Sequence, residues 1–151
     1  MELDKDQKIE KCVSTDKLRK QMTAVYWCKK DGLEQLVATD GRRLVALPAK
    51  RTNETEEYGY IPVDALKQAR NTAQRDKPFL EANGQIEYRN RNQDLIRTER
   101  PDLGNFPNYE QIIPDYKDQP EKDLCKVTFN AKLLSEVATA LGSNNITITF
   151  S

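Results

Sequence analysis

Residues 36–44 read LVATDGRRL, and the reading of the fold starts from this run. Asp40-Gly41 is a hairpin signal, because glycine accepts positive φ at no steric cost. Leu33 to Thr39 (LEQLVAT) before it has strand composition. So does Arg42 to Leu47 (RRLVAL) after it, and Pro48 ends that second run. The stretch predicts two antiparallel strands joined by a tight turn. Upstream, Met22 to Cys28 (MTAVYWC) predicts another strand, with a turn at Lys29 to Gly32 (KKDG).

Further out, residues 8–13 (KIEKCV) predict a short strand, and Ser14, Thr15 and Asp16 a turn or cap. Ala49 to Tyr58 is polar and without periodicity, hence a loop. Tyr60 and Ile61 lead into a helix beginning near Pro62 and running over 62–75, since proline suits a first helical turn. Val63, Leu66, Ala69 and Ala73 recur at helical spacing and make one apolar stripe. Short strands follow at 79–82, 85–89 and 94–99, the first two joined at Asn83-Gly84. Residues 101–113 are irregular, and 115–124 form a polar linker. The last segment, 125–151, reads as strand, helix, strand: Cys125 to Phe129, then a helix capped by Asn130 and stopped by Gly142, then Ile146 to Phe150. Leu133, Leu134, Val137, Ala140 and Leu141 are its apolar stripe. The two helices sit in similar settings, which suggests an internal β-α-β repeat.

Composition excludes several classes of function. The 24 lysines and arginines balance 24 aspartates and glutamates, so bulk charge gives no reason to expect nucleic acid or membrane binding. Any basic surface must come from local segregation. Histidine is absent, which removes Ser-His-Asp and Cys-His catalysis and histidine-ligated metals. The three cysteines, Cys12, Cys28 and Cys125, have no CxxC spacing and read as apolar fillers in a reducing cytoplasm. Asp31 and Asp40 each precede glycine, so turn chemistry accounts for both. No catalytic residue, metal or cofactor is expected. The polar start, Met1 to Glu10, does not read as a signal peptide, and no stretch approaches the ~18 apolar residues of a membrane span.

Three segments together resemble the sliding-clamp β subunit of bacterial DNA polymerase III: LVATDGRRL (36–44), IPVDAL (61–66) and FPNYEQIIP (106–114). They occur in the same order and at similar spacing in that family's middle domain. The upstream stretch VSTDKLRKQMTAV (13–25) resembles the strand entry there. The resemblance implies an α+β DNA-clamp fold, with antiparallel β-sheets and two helices on one face. Residues 1–114 would be the clamp-like domain. A clamp domain opens with a strand and a helix before the VSTD segment, and here only about a dozen residues precede it. VTFNAKLLSEVATALGSNNITITF (127–150) resembles a clamp strand-helix-strand. It either completes the domain within the same chain or starts a further repeat.

The resemblance also implies sites. Met22, Thr39, Gly41, Arg42, Arg43, Leu44, Pro107 and Ile112 match the family's pocket for short linear peptides. Gly41 would let a ligand backbone approach, while Met22, Leu44, Pro107 and Ile112 would form the apolar wall. Arg42 and Arg43 would hold carboxylate or carbonyl groups at its rim. On the first helix, Lys67, Arg70 and Arg75, with Lys77 just beyond, would contact duplex DNA without reading sequence. The implied partners are DNA polymerase and other replication or repair proteins carrying clamp-binding peptides, with further copies of the chain in a ring. The alternative is a stand-alone module that competes for those peptides without encircling DNA. Either way the expected protein is a cytoplasmic binding protein and not an enzyme.

Overall fold

A two-residue turn lies at Asp31-Gly32. Both residues have positive φ, 47° and 81°, the conformation of a type I′ hairpin turn. It joins β1 (Val25–Lys30) to β2 (Leu33–Thr39), with Lys30 opposite Leu33. In the computed structural model, which describes residues 1–71, 79–109, 111 and 130–148, these strands form the centre of a four-stranded antiparallel sheet. Its order is β3-β2-β1-β4, with β3 at Leu44–Pro48 and β4 at Gly59–Ile61. A second, three-stranded antiparallel sheet runs β5 (Leu80–Ala82), β6 (Gln85–Arg89), β7 (Leu95–Glu99). Two helices complete the set, α1 (Val63–Arg70) and α2 (Ala131–Leu141).

Register divides the larger sheet into two faces, because successive side chains point to opposite sides. Val25 opposite Ile61, Trp27 opposite Leu36, Leu36 opposite Leu47 and Ala38 opposite Val45 form the inner face. All are buried and join the core with Ile9, Cys12, Leu66, Ala69, Leu80, Ile86 and Ala140. The Trp27 indole N–H finds a partner at the Ala49 carbonyl, 3.0 Å away, so its burial leaves no donor unpaired. Tyr26, Cys28 and Lys30 of β1, Gln35, Val37 and Thr39 of β2, and Leu44, Ala46 and Pro48 of β3 make the outer face. Residues 104–109 lie across it. Phe106 stacks on Tyr26 with centroids 5.0 Å apart, and Tyr109 receives a hydrogen bond from Gln35 Nε2 at 2.6 Å.

Several local expectations shift. Residues 8–13 do not form a strand: Ile9–Cys12 is a single 3-10 turn, which lets Ile9 and Cys12 both enter the core. Met22 belongs to a second such turn, Lys20–Met22, so β1 starts at Val25. β4 is a strand of only three residues, too short to show alternation, and Pro62 sits at the N-cap of α1 with extended backbone. α1 ends at Arg70, and Asn71, expected inside the helix, is instead its C-cap, with its N–H on the carbonyls of Lys67 and Gln68. Residues 72–75 of the expected helix and the strand at 125–129 lie outside the described residues, as does the linker 115–124. α2 keeps both punctuation marks: Asn130 Oδ1 accepts from Lys132 N–H at 3.0 Å, and Gly142 takes φ 67°. Residues 146–148 are not in a strand.

α2 packs on the chain's own N-terminal turn. Ala140 is fully buried against the core, and Lys8 N–H bonds the Thr139 carbonyl at 3.3 Å.

On the outer face, Tyr60 is buried, tilted against Tyr26 at 5.0 Å, and its hydroxyl has no hydrogen-bond partner among the described residues. Burial pushes its phenol up to about 12. A raised pKa favours the protonated folded state, so this contribution is intact below about pH 10 and is lost as pH rises toward 12. Tyr60→Phe removes the unpaired hydroxyl and keeps the ring. It should leave stability at pH 7 unchanged or raise it by about 1 kcal/mol. Urea unfolding series between pH 7 and 11 check both points: the native chain should lose stability above pH 10 more steeply than the variant.

Candidate functional site

Thr39 organises the end of the β2-β3 hairpin. Its hydroxyl accepts the Gly41 N–H at 3.1 Å and donates to the Arg43 carbonyl at 2.7 Å. Asp40 Oδ1 accepts the N–H groups of Arg42 and Arg43, at 2.9 and 3.1 Å. Thr39 pairs with Leu44, so the connection is a four-residue loop, 40–43, rather than a two-residue turn at Asp40-Gly41. The Asp40 and Thr39 side chains supply the hydrogen bonds that a two-residue turn would draw from the ladder.

Gly41 is exposed at φ 85°. A Cβ there would meet Arg19 Nη1 at 2.7 Å and Met22 Sδ at 3.9 Å. The Arg19 guanidinium therefore lies over the glycine, donating to the Asp40 carbonyl at 3.2 Å and pairing with Asp16 at 3.6 Å. Leu44 and Met22 are half-buried, Thr39 is buried, and Arg42 is exposed. The structure thus brings Met22, Thr39, Gly41, Arg42 and Leu44 to one end of the outer face.

Arg43 has a different setting from Arg42. Its side chain is only 13% exposed. Nη1 hydrogen-bonds the Glu136 carboxylate of α2, Nη2 donates to the Lys11 carbonyl at 2.9 Å, and Nε lies 3.1 Å from Asp40 Oδ2. Arg43 therefore ties the hairpin to the N-terminal turn and to α2. Pro107 lies on the same outer face but farther along it. It lines a cavity of about 400 Å³ with Tyr26, Cys28, Lys29, Lys30 and Tyr109, none of them from the hairpin. Ile112 lies outside the described residues.

The cationic helix face divides similarly. Lys67 is exposed. Arg70 is almost wholly buried: it forms an ion pair with Glu10, itself buried, and donates to the Gln7 carbonyl at 2.6 Å. Arg75 and Lys77 lie outside the described residues. Among the described residues no three of His, Cys, Asp or Glu gather where they would hold a metal ion, and no helix is long and apolar enough to cross a membrane.

Two site residues escaped the sequence reading. Arg19 sits three positions before Met22 in a segment read only as a strand entry. Glu136 lies 93 residues from its partner Arg43, a separation at which charge pairing leaves no sequence signal.

Comparison with solved structures places the fold. The chain superposes on the DNA polymerase III β subunit of Thermotoga maritima with a TM-score of 0.56 at 23% identity, over 76% of this chain and 34% of that one. The griselimycin-bound sliding clamp of Bartonella birtlesii gives 0.56 at 24%, over 76% and 32%. The Caulobacter crescentus β sliding clamp gives 0.54 at 20%, over 75% and 34%. The fold is the sliding-clamp fold, as its α+β pattern of antiparallel sheets and two helices implied. The chain spans about a third of the length of these clamps. No protein-family model matches the sequence, and no curated protein does.

Two consequences are measurable. The hydrogen bond from Arg43 holds the Glu136 carboxyl below the usual carboxylate range. A depressed pKa stabilises the folded state above the unfolded value, about 4.3, and that stability is lost as pH falls through the folded value. Urea midpoints measured from pH 7 down to pH 3 should fall more steeply for the native chain than for Glu136→Gln. Coincident profiles would mean that the tie contributes nothing. Replacing Arg70 by alanine leaves Glu10 buried and unpaired, and should cost about 3–5 kcal/mol. The paired change Glu10→Leu with Arg70→Met should recover most of that in the same denaturation assay.

Proposed function

We propose that this chain is a non-catalytic, clamp-type recruitment module of the cytoplasm, which takes short linear peptides at the β2-β3 hairpin. The peptides are those by which DNA polymerase and other replication or repair proteins hold a clamp. One observation carries the reading. Met22, Thr39, Gly41 and Leu44, separated by up to 22 positions in sequence, come together around an exposed positive-φ glycine at one end of the outer face. A ligand backbone can reach such a glycine once the half-exposed Arg19 side chain lying over it swings aside, methionine adapts to varied apolar partners, and Leu44 offers aliphatic surface. Arg42 stands at the rim in solvent, positioned for a carboxylate or carbonyl group. Arg43, in this reading, holds the hairpin in place from behind and does not contact the peptide. Pro107 supplies wall only if the bound peptide runs along the outer face toward Tyr26, and Ile112 stays in the set on the resemblance alone.

Duplex DNA contact belongs to the same proposal in a reduced form. Lys67, Arg75 and Lys77 are its cations, with sequence-independent, salt-sensitive phosphate contacts. Arg70 is left out because its charge is already matched by Glu10. Encircling DNA requires several copies or a partner clamp.

The test is a fluorescence anisotropy titration with a labelled peptide that copies the clamp-binding segment of a bacterial DNA polymerase III. Binding should be micromolar or weaker. Leu44→Ala and Met22→Ala should each weaken it about 5- to 30-fold, the ~1–2 kcal/mol typical of truncating a central apolar anchor. Equal affinity in all three proteins, with unchanged circular dichroism, would move the binding site elsewhere.

A further inference from the structure

The segment beside the hairpin carries an unmatched positive charge. Lys17, Leu18, Arg19 and Lys20 lead into Met22, and all four are exposed. Arg19 lies over Gly41, so this segment and the hairpin loop form one continuous surface. The nearby acids are already engaged: Asp16 pairs with Arg19, and Asp40 with Arg43. The side chains of Lys17, Lys20 and Arg42 have no hydrogen-bond or ion-pair partner among the described residues, although the backbones of Arg42 and Lys20 are bonded locally. In a chain whose cations and anions are equal, 24 of each, three cations with unpaired side chains on this segment and the adjoining hairpin loop are a local segregation of charge.

A second feature of the same surface is apolar. Leu18 is 92% exposed, the most exposed large hydrophobic side chain among the described residues. It is not a loose tip. Asp16 Oδ1 accepts the Leu18 N–H at 2.9 Å, Arg19 N–H returns to the Asp16 carbonyl at 3.0 Å, and Ser14 N–H closes on the Met22 carbonyl at 2.8 Å. The segment is folded in a way that holds Leu18 in water between cations. Covering it would recover about 25 cal/mol for each Å² removed from water.

We infer that Lys17, Lys20 and Arg42 form a selectivity rim for peptides with acidic residues beside the apolar anchor, and that Leu18 packs on the same peptide. The inference rests on the peptide-binding reading above and adds the chemistry of the partner. A peptide fits this surface better than nucleic acid does. Neither 14–23 nor 39–44 contains an aromatic residue on which a base could stack. Phosphates would match the cations but leave Leu18 in water, whereas an acidic peptide with an apolar side chain satisfies both.

The experiment uses the full chain and one labelled peptide in three forms, differing only in two flanking residues: Asp-Asp, Asn-Asn or Lys-Lys. The acidic form should bind roughly fivefold more tightly than the neutral form at 50 mM salt, the gain expected of a few exposed ion pairs. That advantage should fade by 300 mM salt as screening rises. It should disappear in a Lys17→Glu/Lys20→Glu/Arg42→Ala variant, whose changes are all on exposed side chains. Leu18→Ser should weaken all three forms alike. Equal affinity for the acidic and neutral forms would overturn the rim while leaving the peptide site in place. No binding of any form would overturn both. Displacement of the acidic peptide by a short DNA duplex at equimolar concentration would make the surface a nucleic-acid contact, and the inference would be wrong.

Discussion

The arrangement of this molecule depends on Arg43 having its charge matched by carboxylates drawn from the loop and from α2. An arginine whose side chain is only 13% exposed cannot be left without partners, because burying an unpaired charge costs several kcal/mol. Three parts of the chain meet that demand at once: Asp40 in the loop, the Lys11 carbonyl in the N-terminal turn, and Glu136 on α2. Apolar burial supplies the larger energy here, through Ile9, Cys12 and Ala140, but it is non-directional. The fork of the guanidinium fixes which turn of α2 faces the hairpin and how the loop is tilted. The same geometry leaves Arg42, its neighbour in sequence, facing water.

The two arginines illustrate how charge is allotted. Some cations are structural: Arg43 as above, Arg70 with Glu10, and Arg100, which donates to the carbonyls of Tyr60 and Glu57 and so fastens the chain after β7 to β4. Others are left in solvent, chiefly Lys17, Lys20, Arg42 and Lys67. A chain of zero net charge can therefore present a locally positive surface. Asp40 and Glu136 are spent on the largely buried Arg43 and Glu10 on Arg70, where matching a charge matters far more than at an exposed site, and Asp16 is taken by Arg19.

Much of the hairpin architecture was legible because side-chain alternation has a short period and glycine-containing turns are local. β2, β5 and β6 fall within a residue of their expected bounds, as does the start of α1, and Asn130 and Gly142 punctuate α2 where expected. Loop chemistry was less legible. Asp31-Gly32 and Asp40-Gly41 look alike as dipeptides, yet only the first is a two-residue type I′ turn. The second opens to four residues because Thr39 and Asp40 offer side-chain bonds that are visible only once the strands are paired. The short turn at 9–12 and the three-residue β4 carry too few residues to display any period.

The candidate site divides along the same line. The sequence alone determined that antiparallel strands flank a glycine loop, that no histidine or cysteine cluster is available for chemistry, and, by resemblance, that Met22, Thr39, Gly41 and Leu44 belong together. These follow from composition, local backbone preference and short motifs, which act over a few residues. Tertiary structure decided which charges are free. It buried Arg43 and Arg70, set Arg19 over Gly41, left Leu18 in water, and placed Pro107 on the outer face away from the hairpin. Whether a charged side chain is buried depends on groups up to 93 residues away, and no local pattern encodes that distance.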